Sequence, residues 1–248
     1  MSQRSTPRPW PTRLLLLALL LGASGIAWAA TRTPPVAHAA AAISPYVWGT
    51  NLTLSDQNDL FLTNAATLKL TQQLHVQMIR FPDRGNLAVT TAAAKQIQAL
   101  HLVPLLILHY GTAQVSADKA LIQMMNSVFG NQTVYYEYGN EMDLQGVDAT
   151  AYTASWNTVI SQFQSLSPTG KFIGPANYQA NPSYVGYFVQ HANPQPFGVS
   201  WHEYTCNSQQ TDQYCLSHID NWTTHIQATR QAMGKSLPIL ITEYNWNP

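Results

Sequence analysis

The chain of 248 residues combines many core-forming side chains with very few charges. Hydrophobic residues make up 46% and charged residues only 10%, against roughly 25% charged residues in an average soluble domain. Twelve basic and twelve acidic residues balance each other without a basic stripe, so a nucleic-acid partner is not expected. An uncharged polar surface with 7 Trp and 12 Tyr suits a neutral partner such as a sugar.

The first thirty residues have the layout of a secretory signal peptide. Arg4, Arg8 and Arg13 precede an apolar run, Leu14 to Leu21, and two Ala-x-Ala cleavage sites follow. We expect cleavage near residue 30, or as late as residue 39, with a low-complexity Ala/Pro linker over residues 31–42. The alternative is an uncleaved membrane anchor, for which the apolar segment is short. We therefore predict a secreted, extracellular protein with no stable membrane partner after cleavage.

The two cysteines, Cys206 and Cys215, lie in one loop-like segment. In an exported protein such a short-range pair indicates a disulfide, and a metal site would require further His or Cys residues at ligand spacing. We predict a disulfide that holds a surface loop.

Beyond the linker, short β-rich runs alternate with amphipathic helical stretches. The predicted strands are Tyr46–Gly49, Val76–Phe81, Val103–His109, Val134–Asn140, Lys171–Gly174, Phe197–His202 and Pro238–Glu243. The predicted helices are Leu60–Leu74, Thr91–Leu100, Ala117–Phe129, Ala149–Leu166, Ser183–His191 and Ile219–Met233. Several strands are nearly continuous apolar runs, as buried parallel strands are. Strand ends recur at intervals of about 30 residues, the length of a βα unit.

This order predicts an α/β fold, either a TIM (β/α)8-type barrel or a doubly wound sheet. Polar residues end several different strands, which favours the barrel, because its active site forms where the strand ends converge. No Gly-x-Gly-x-x-Gly follows the first strand, which disfavours a dinucleotide-binding sheet. Only seven strands are predicted over residues 43–248, so we expect an incomplete barrel whose eighth βα unit is missing from this chain.

Two glutamates at strand ends form the candidate catalytic pair. Glycoside hydrolysis uses one carboxylate to protonate the leaving oxygen and another to attack the anomeric carbon or activate water. Glu141 ends the fourth predicted strand and Glu243 the seventh, so we expect them to face each other across the barrel mouth. Arg80 could lower the pKa of the nucleophile, and Tyr204 could donate a hydrogen bond to it. Asn140 could bind the sugar 2-hydroxyl.

Four segments resemble motifs of glycoside hydrolase clan A, the retaining barrel glycosidases of the cellulase and xylosidase type. YYEYGNEMD (Tyr135 to Asp143) resembles the acid/base motif on the fourth strand, and PILITEYNW (Pro238 to Trp246) the nucleophile motif on the seventh. MIRFPDRG (Met78 to Gly85) is similar to the second strand with its arginine, and VSWHEY (Val199 to Tyr204) to the sixth with its His-x-Tyr pair. The resemblance assigns Glu141 as acid/base and Glu243 as nucleophile, supported by Arg80, Asn140, His202 and Tyr204. It also implies a chain that is truncated after the seventh strand.

Other polar and aromatic residues carry two interpretations each. His109 and Trp48 are candidates for the substrate cleft, with structural hydrogen bonding and aromatic packing as the respective alternatives. Glu137 is expected to fill a polar layer inside the barrel, and Glu203 to point toward the helices. No histidine pattern indicates a metal site, and neither a metal nor another cofactor is expected.

The sequence therefore predicts retaining hydrolysis of O-glycosidic bonds in poly- or oligosaccharides. The alternative is a non-catalytic carbohydrate-binding remnant or an inactive truncated glycosidase. The loops leave the sugar, the linkage, endo or exo cleavage and the oligomeric state open.

Overall fold

The computed structural model describes residues 44–206 and 209–245, so the predicted leader and linker lie outside the described residues. Seven parallel strands pair in chain order, each with the next. They are β1 (Gly49–Asn51), β2 (Met78–Pro82), β3 (Val103–Leu108), β4 (Tyr135–Tyr138), β5 (Lys171–Asn177), β6 (Gly198–Tyr204) and β7 (Ile239–Asn245).

Helices connect the successive strands. They are α1 (Leu60–Thr63), α2 (Ala65–Gln73), α3 (Leu87–Ala99), α4 (Val115–Phe129), α5 (Ala149–Leu166), α6 (Pro182–His191), α7 (Asp212–Ser217) and α8 (Asn221–Met233). Parallel strands that alternate with helices and curve into a nearly closed ring form a TIM-type barrel. Within the described ranges this barrel has seven strands and no eighth βα unit, as predicted.

The ring is bridged where its first and last strands approach each other. The side-chain amide of Asn51, at the end of β1, donates to the backbone oxygen of Thr242 on β7 at 3.0 Å. Neither strand has a second hydrogen-bonded neighbour among the described residues. The side chain of Asn51 therefore links the two edges at the carboxyl end of the barrel.

The prediction for the first strand was wrong in position. Residues Pro45–Val47 form a 3-10 turn, and β1 begins only at Gly49. The Tyr-Val-Trp run has a strong strand propensity, but the preceding proline fits the start of a helical turn better than a ladder position. Consequently Trp48 lies at the amino-terminal end of β1, where its backbone oxygen accepts from the amide of Gln77 at 2.7 Å.

The observed helices differ from the predicted ones at two further places, near Asn64 and near Cys215. The predicted helix Leu60–Leu74 is divided at Asn64, whose side chain caps α2 by accepting from the amides of Ala66 and Thr67. The second cysteine, Cys215, lies within the short helix α7, which the sequence pattern did not indicate. Cys206 and Cys215 form the predicted disulfide, with their Cα atoms 5.2 Å apart.

Side chains from alternate strand positions fill the barrel in layers. Met78, Leu105, Tyr135 and Ile173 form a buried apolar cluster near the amino-terminal end. Two positions further along β2 and β4 come Arg80 and Glu137, also buried, which begin a polar layer. The interior thus changes from apolar to charged as it approaches the carboxyl ends of the strands.

Outside the strands, aromatic side chains fill the space beneath the helices. Trp156 and Tyr152 of α5 pack edge-on against Phe188 of α6, with ring centroids 5.0 and 5.3 Å apart. Glu203 points toward this helical layer, as predicted, and accepts from Trp201 and His225. In the part of the chain that the structure describes, we find no helix with the length and apolarity needed to span a membrane.

Candidate active site

The end of β4 places Asn140 and Glu141 at the barrel mouth. Glu141 has a left-handed backbone with φ of 52°, which is unusual for a residue other than glycine. Its amide donates to the backbone oxygen of Ala176 on β5 at 2.8 Å, and a 3-10 turn, Met142–Gln145, follows. Such backbone conformations persist where surrounding contacts hold them, and they are concentrated at functional sites. Glu141 is therefore held by backbone geometry as well as by its side chain.

Glu243 projects from β7 with both carboxylate oxygens engaged. Arg80 donates to Oε1 at 2.5 Å, and the hydroxyl of Tyr204 donates to Oε2 at 2.7 Å. Burial would raise the pKa of Glu243, but the electrostatic influence of His202 and Arg80 and the hydrogen bonds from Tyr204 and Arg80 outweigh it. The net effect lowers the pKa, so this carboxylate is kept ionised.

Arg80 is the centre of the polar layer. Its Nε donates to Glu137 at 2.6 Å, and its terminal nitrogens donate to the side-chain oxygens of Asn140 at 2.5 Å and Asn51 at 3.2 Å, besides Glu243. Burial alone would lower the pKa of Arg80, but the two carboxylates raise it above its ordinary value. A permanently charged guanidinium thus connects four strands.

His202 lies between the two candidate catalytic carboxylates and is fully buried. Its Nδ1 is hydrogen-bonded to Oε1 of Glu141 at 2.6 Å, and its Nε2 lies 3.6 Å from Oε1 of Glu243. An oxygen of Glu141 and an oxygen of Glu243 lie within 4.8 Å of each other. The two carboxylates therefore share one small region, although their immediate partners differ.

The same three residues could also offer ligands to a metal ion, since one atom from each lies within 4.8 Å of the others. Arg80 opposes this use, because its guanidinium already contacts Oε1 of Glu243 and would repel a second cation. The charge arrangement instead resembles a carboxylate held by an arginine, with a second carboxylate beside it.

A cleft of about 550 Å³ extends from Glu243 across the ends of β1 to β4, lined by the neighbours of Glu141 but not by Glu141 itself. At one end it is lined by Glu243, Arg80 and Asn140, and at the other by His109 and Arg84. Much of its remaining lining is polar, which suits a ligand rich in hydroxyl groups. The residues include Asn51, Thr53, Asp83, Gln114 and Gln145.

His109 is anchored behind the cleft by a buried aspartate. Its Nδ1 is hydrogen-bonded to Oδ1 of Asp118 at 2.7 Å, and its Nε2 lies 3.7 Å from Oδ2 of Asp83. The hydrogen bond to Asp118 raises the pKa of His109, burial opposes it, and the charges of Asp118 and Asp83 raise it further.

We expect NMR titration of the imidazole to show His109 titrating above the ordinary pKa of a histidine. Asp118→Asn should lower that pKa, because it removes the charge and weakens the hydrogen bond to the protonated ring. Because the pKa of His109 is higher in the folded than in the unfolded protein, protonation of His109 stabilises the fold in mildly acidic solution. This small contribution is lost as the pH rises through the folded-state pKa of His109. An unshifted titration in the unmodified protein would contradict the assignment of Asp118 as its partner.

Most residues predicted for the site lie together. Six of them form one connected network: Arg80, Asn140, Glu141, His202, Tyr204 and Glu243. His109 lines the cleft further along. The prediction for Trp48 was wrong, because that side chain is 64% exposed and lies at the opposite, amino-terminal end of β1.

Sequence reasoning missed Asn51, Asp118 and Thr242. Asn51 was hidden by the misplaced first strand, although it ends β1 and is the register partner of Arg80 on β2. Asp118 lies on a helix, where one acidic residue in the first turn usually indicates only a favourable charge. Thr242 is the extra β7 residue at the register shift between Trp201 and His202, which no local pattern indicates, and its hydroxyl contacts Glu137.

Solved structures of glycoside hydrolases share this fold. A family 51 α-L-arabinofuranosidase from Bifidobacterium longum superposes with a TM-score of 0.61 at 12% identity, covering 81% of this chain and 56% of that one. A bacterial orthologue of human α-L-iduronidase superposes with a TM-score of 0.55 at 14% identity, covering 83% of this chain and 42% of that one. A hyperthermophilic endo-β-1,4-glucanase superposes with a TM-score of 0.54 at 13% identity, covering 80% of each chain.

These likenesses show that the chain shares the (β/α)-barrel fold of the three solved structures. This chain spans about half the length of the first two proteins. No protein-family model and no curated protein matches the sequence.

Proposed function

We propose that this protein hydrolyses O-glycosidic bonds with retention of anomeric configuration, using Glu141 as general acid/base and Glu243 as nucleophile. One observation carries the proposal: carboxylate oxygens of these two residues lie within 4.8 Å of each other at the barrel mouth. Retaining enzymes separate their carboxyl groups by roughly 5–5.5 Å, whereas inverting enzymes leave roughly 6.5–9.5 Å for a water molecule. The short separation favours the retaining mechanism.

The different surroundings of the two glutamates support the division of roles. Glu243 accepts hydrogen bonds from Arg80 and Tyr204, and its pKa is lowered, as a nucleophile that must stay ionised requires. Glu141 is hydrogen-bonded to Nδ1 of His202 and is 22% exposed, against 29% for Glu243, so both carboxylates are accessible and their partners are what differ. In the proposed roles, the carboxylate held by Arg80 stays ionised, and the other gives a proton to the leaving group and later takes one from water.

In the proposed first step, an oxygen of Glu243 attacks the anomeric carbon, the glycosidic C–O bond breaks, and Glu141 protonates the departing oxygen. In the second step, water attacks the anomeric carbon while Glu141 takes its proton, and the ester bond to Glu243 breaks. Asn140, whose side-chain oxygen is fixed by Arg80, is placed to contact the sugar 2-hydroxyl. The two carboxylates supply the acid, base and nucleophile, so the proposed reaction requires no cofactor.

The proposed substrate is a poly- or oligosaccharide. The polar cleft beside Glu243 is large enough for more than one sugar unit, since its volume is about 550 Å³. The solved structures with the same fold carry the names of an arabinofuranosidase, an iduronidase and an endoglucanase, which act on carbohydrates. These names support the substrate class and leave the particular sugar to experiment.

The proposal is tested by incubating the full chain with a panel of aryl glycosides and polysaccharides and following the first released anomer by NMR. We expect the released sugar to keep the configuration of the substrate. Release of the opposite anomer would exclude Glu243 as a nucleophile. Saccharide binding without turnover would instead support the non-catalytic alternative.

We also propose that the protein is secreted. The Arg-containing apolar leader and the Cys206–Cys215 disulfide are both typical of exported proteins. Expression of the whole reading frame in a bacterial host should yield exported protein whose first residue, determined by N-terminal sequencing, lies between residues 30 and 40. An intact N terminus retained in the membrane fraction would favour the anchor alternative.

A further inference from the structure

Glu137 is a buried carboxylate below the candidate catalytic pair. It is 0% exposed and lies on β4, four residues before Glu141. Its Oε2 accepts from Nε of Arg80 at 2.6 Å, and its Oε1 accepts from the hydroxyl of Thr242 at 2.8 Å. Because both oxygens are engaged by protein groups and the side chain is sealed from solvent, Glu137 does not touch substrate. Any effect it has on the reaction passes through Arg80.

Arg80 is itself only 5% exposed, and a buried cation requires a counterion. Before the reaction it has two, Glu137 and Glu243. In the proposed first step the carboxylate of Glu243 forms a C–O bond with the sugar, the glycosidic C–O bond breaks, and the proton of Glu141 goes to the departing oxygen, so the negative charge moves from Glu243 to Glu141. While the glycosyl ester exists, Glu243 is neutral. Glu137 is then the carboxylate that remains paired with Arg80.

We propose that Glu137 is a positioning residue that keeps Arg80 charge-balanced while Glu243 is esterified, an inference that rests on the proposed function. With Glu137 in place, Arg80 gives up one ion pair during the first step and retains the other. Without it, Arg80 would be held by Glu243 alone, and bond formation would leave a buried cation unpaired. Glu137 therefore favours formation of the glycosyl-enzyme and also keeps the guanidinium plane directed at Oε1 of Glu243.

Thr242 completes this arrangement from the strand that carries the nucleophile. Its hydroxyl donates to Glu137, while the next residue, Glu243, accepts from Arg80. The contacts thus form a closed loop from β7 through β4 and β2 back to β7. This loop fixes the distance between the arginine and the nucleophile independently of the substrate.

The test is Glu137→Gln in the full chain, assayed with an aryl glycoside that has a good leaving group. The amide oxygen can still accept from Arg80 and the amide nitrogen can donate to Thr242, so the charge is removed while the shape is kept. We expect kcat/KM, which reports the first step, to fall by about 10- to 100-fold, less than when a donor that contacts the reacting atoms is removed. We expect kcat, limited by hydrolysis of the ester, to fall much less, and the pre-steady-state burst to shrink.

Glu203→Gln is the matched control, because Glu203 is also a buried carboxylate but accepts from Trp201 and His225 on the helical side. It should leave both kinetic constants and the burst unchanged. Thr242→Val provides a second variant of the loop that keeps every charge, and it should lower kcat/KM by a smaller factor without lowering kcat. If Glu137→Gln is not recovered in folded form, the Thr242→Val result decides.

The outcomes distinguish this inference from the proposed function. If the unmodified protein neither turns over glycosides nor forms an ester on Glu243 that mass spectrometry detects, the proposed function fails and the inference fails with it. If the unmodified protein is active and labelled on Glu243, equal losses in kcat and kcat/KM for Glu137→Gln, or no loss, overturn the role of Glu137 alone.

Discussion

Replacing Glu243 with glutamine is expected to reduce hydrolysis by about 10⁴-fold or more for every substrate, because removal of a covalent nucleophile abolishes the first step. The amide cannot attack the anomeric carbon, whatever the leaving group. Arg80 keeps its ion pair with Glu137, so the fold should survive, and thermal unfolding monitored by circular dichroism checks this. Substantial turnover by a folded Glu243→Gln protein would contradict the assignment.

Glu141→Gln should behave differently, and the difference identifies the acid/base. For substrates with poor leaving groups we expect kcat/KM to fall by about 10²- to 10⁴-fold, because the departing oxygen is no longer protonated. For activated aryl glycosides kcat/KM should change little, while kcat falls because no base assists the attacking water. Added azide, a nucleophile that needs no base, should restore turnover and give a glycosyl azide of retained configuration. A loss independent of the leaving group would argue against Glu141.

The second large effect concerns stability. Arg80→Met should lower the free energy of unfolding by about 3–5 kcal/mol at neutral pH, because it leaves the buried carboxylate of Glu137 without a cation. The measurement is urea unfolding followed by tryptophan fluorescence.

The double variant Arg80→Met with Glu137→Gln provides the control for this prediction. It removes both charges, and it should recover part of the stability that Arg80→Met loses, since an unpaired buried charge destabilises more than a missing pair. A double variant that is less stable than Arg80→Met alone would show that packing by the arginine side chain, rather than charge, dominates.

Much of the fold could be predicted because its information is local. Buried parallel strands appear as apolar runs, and all seven predicted strands share residues with the observed ones that pair with a neighbour, the first of them only at Gly49. The first strand was displaced, because the aromatic run before Gly49 has the composition of a strand but follows a proline. The break at Asn64 was missed for a similar reason: apolar spacing continues through a residue whose side chain caps a new helix.

The candidate site was predictable where a residue ends its strand, and less so where contacts cross the barrel. Arg80, Glu141 and Glu243 were found because polar residues after apolar runs indicate the barrel mouth. The distances between these side chains, and the partners that they share, depend on the stagger of the strands and on the register shift between Trp201 and His202. No single sequence segment encodes either of these features. Asn51 and Thr242 became part of the site only through that three-dimensional register.

The hydrogen bond from Asn51 to Thr242 joins β1 to β7 beside the cleft, so a ligand in the cleft can affect how stably these two strands are held together. Asn51 lines the cleft from β1, and Glu243 lines it from β7. A saccharide that contacts both residues would therefore hold β1 and β7 together. Ligand binding then adds RT ln(1 + [L]/Kd) to the stability of the folded barrel. If the proposed function holds, a bound saccharide would therefore act as a cross-link between β1 and β7 and raise the stability of the barrel for as long as it is bound.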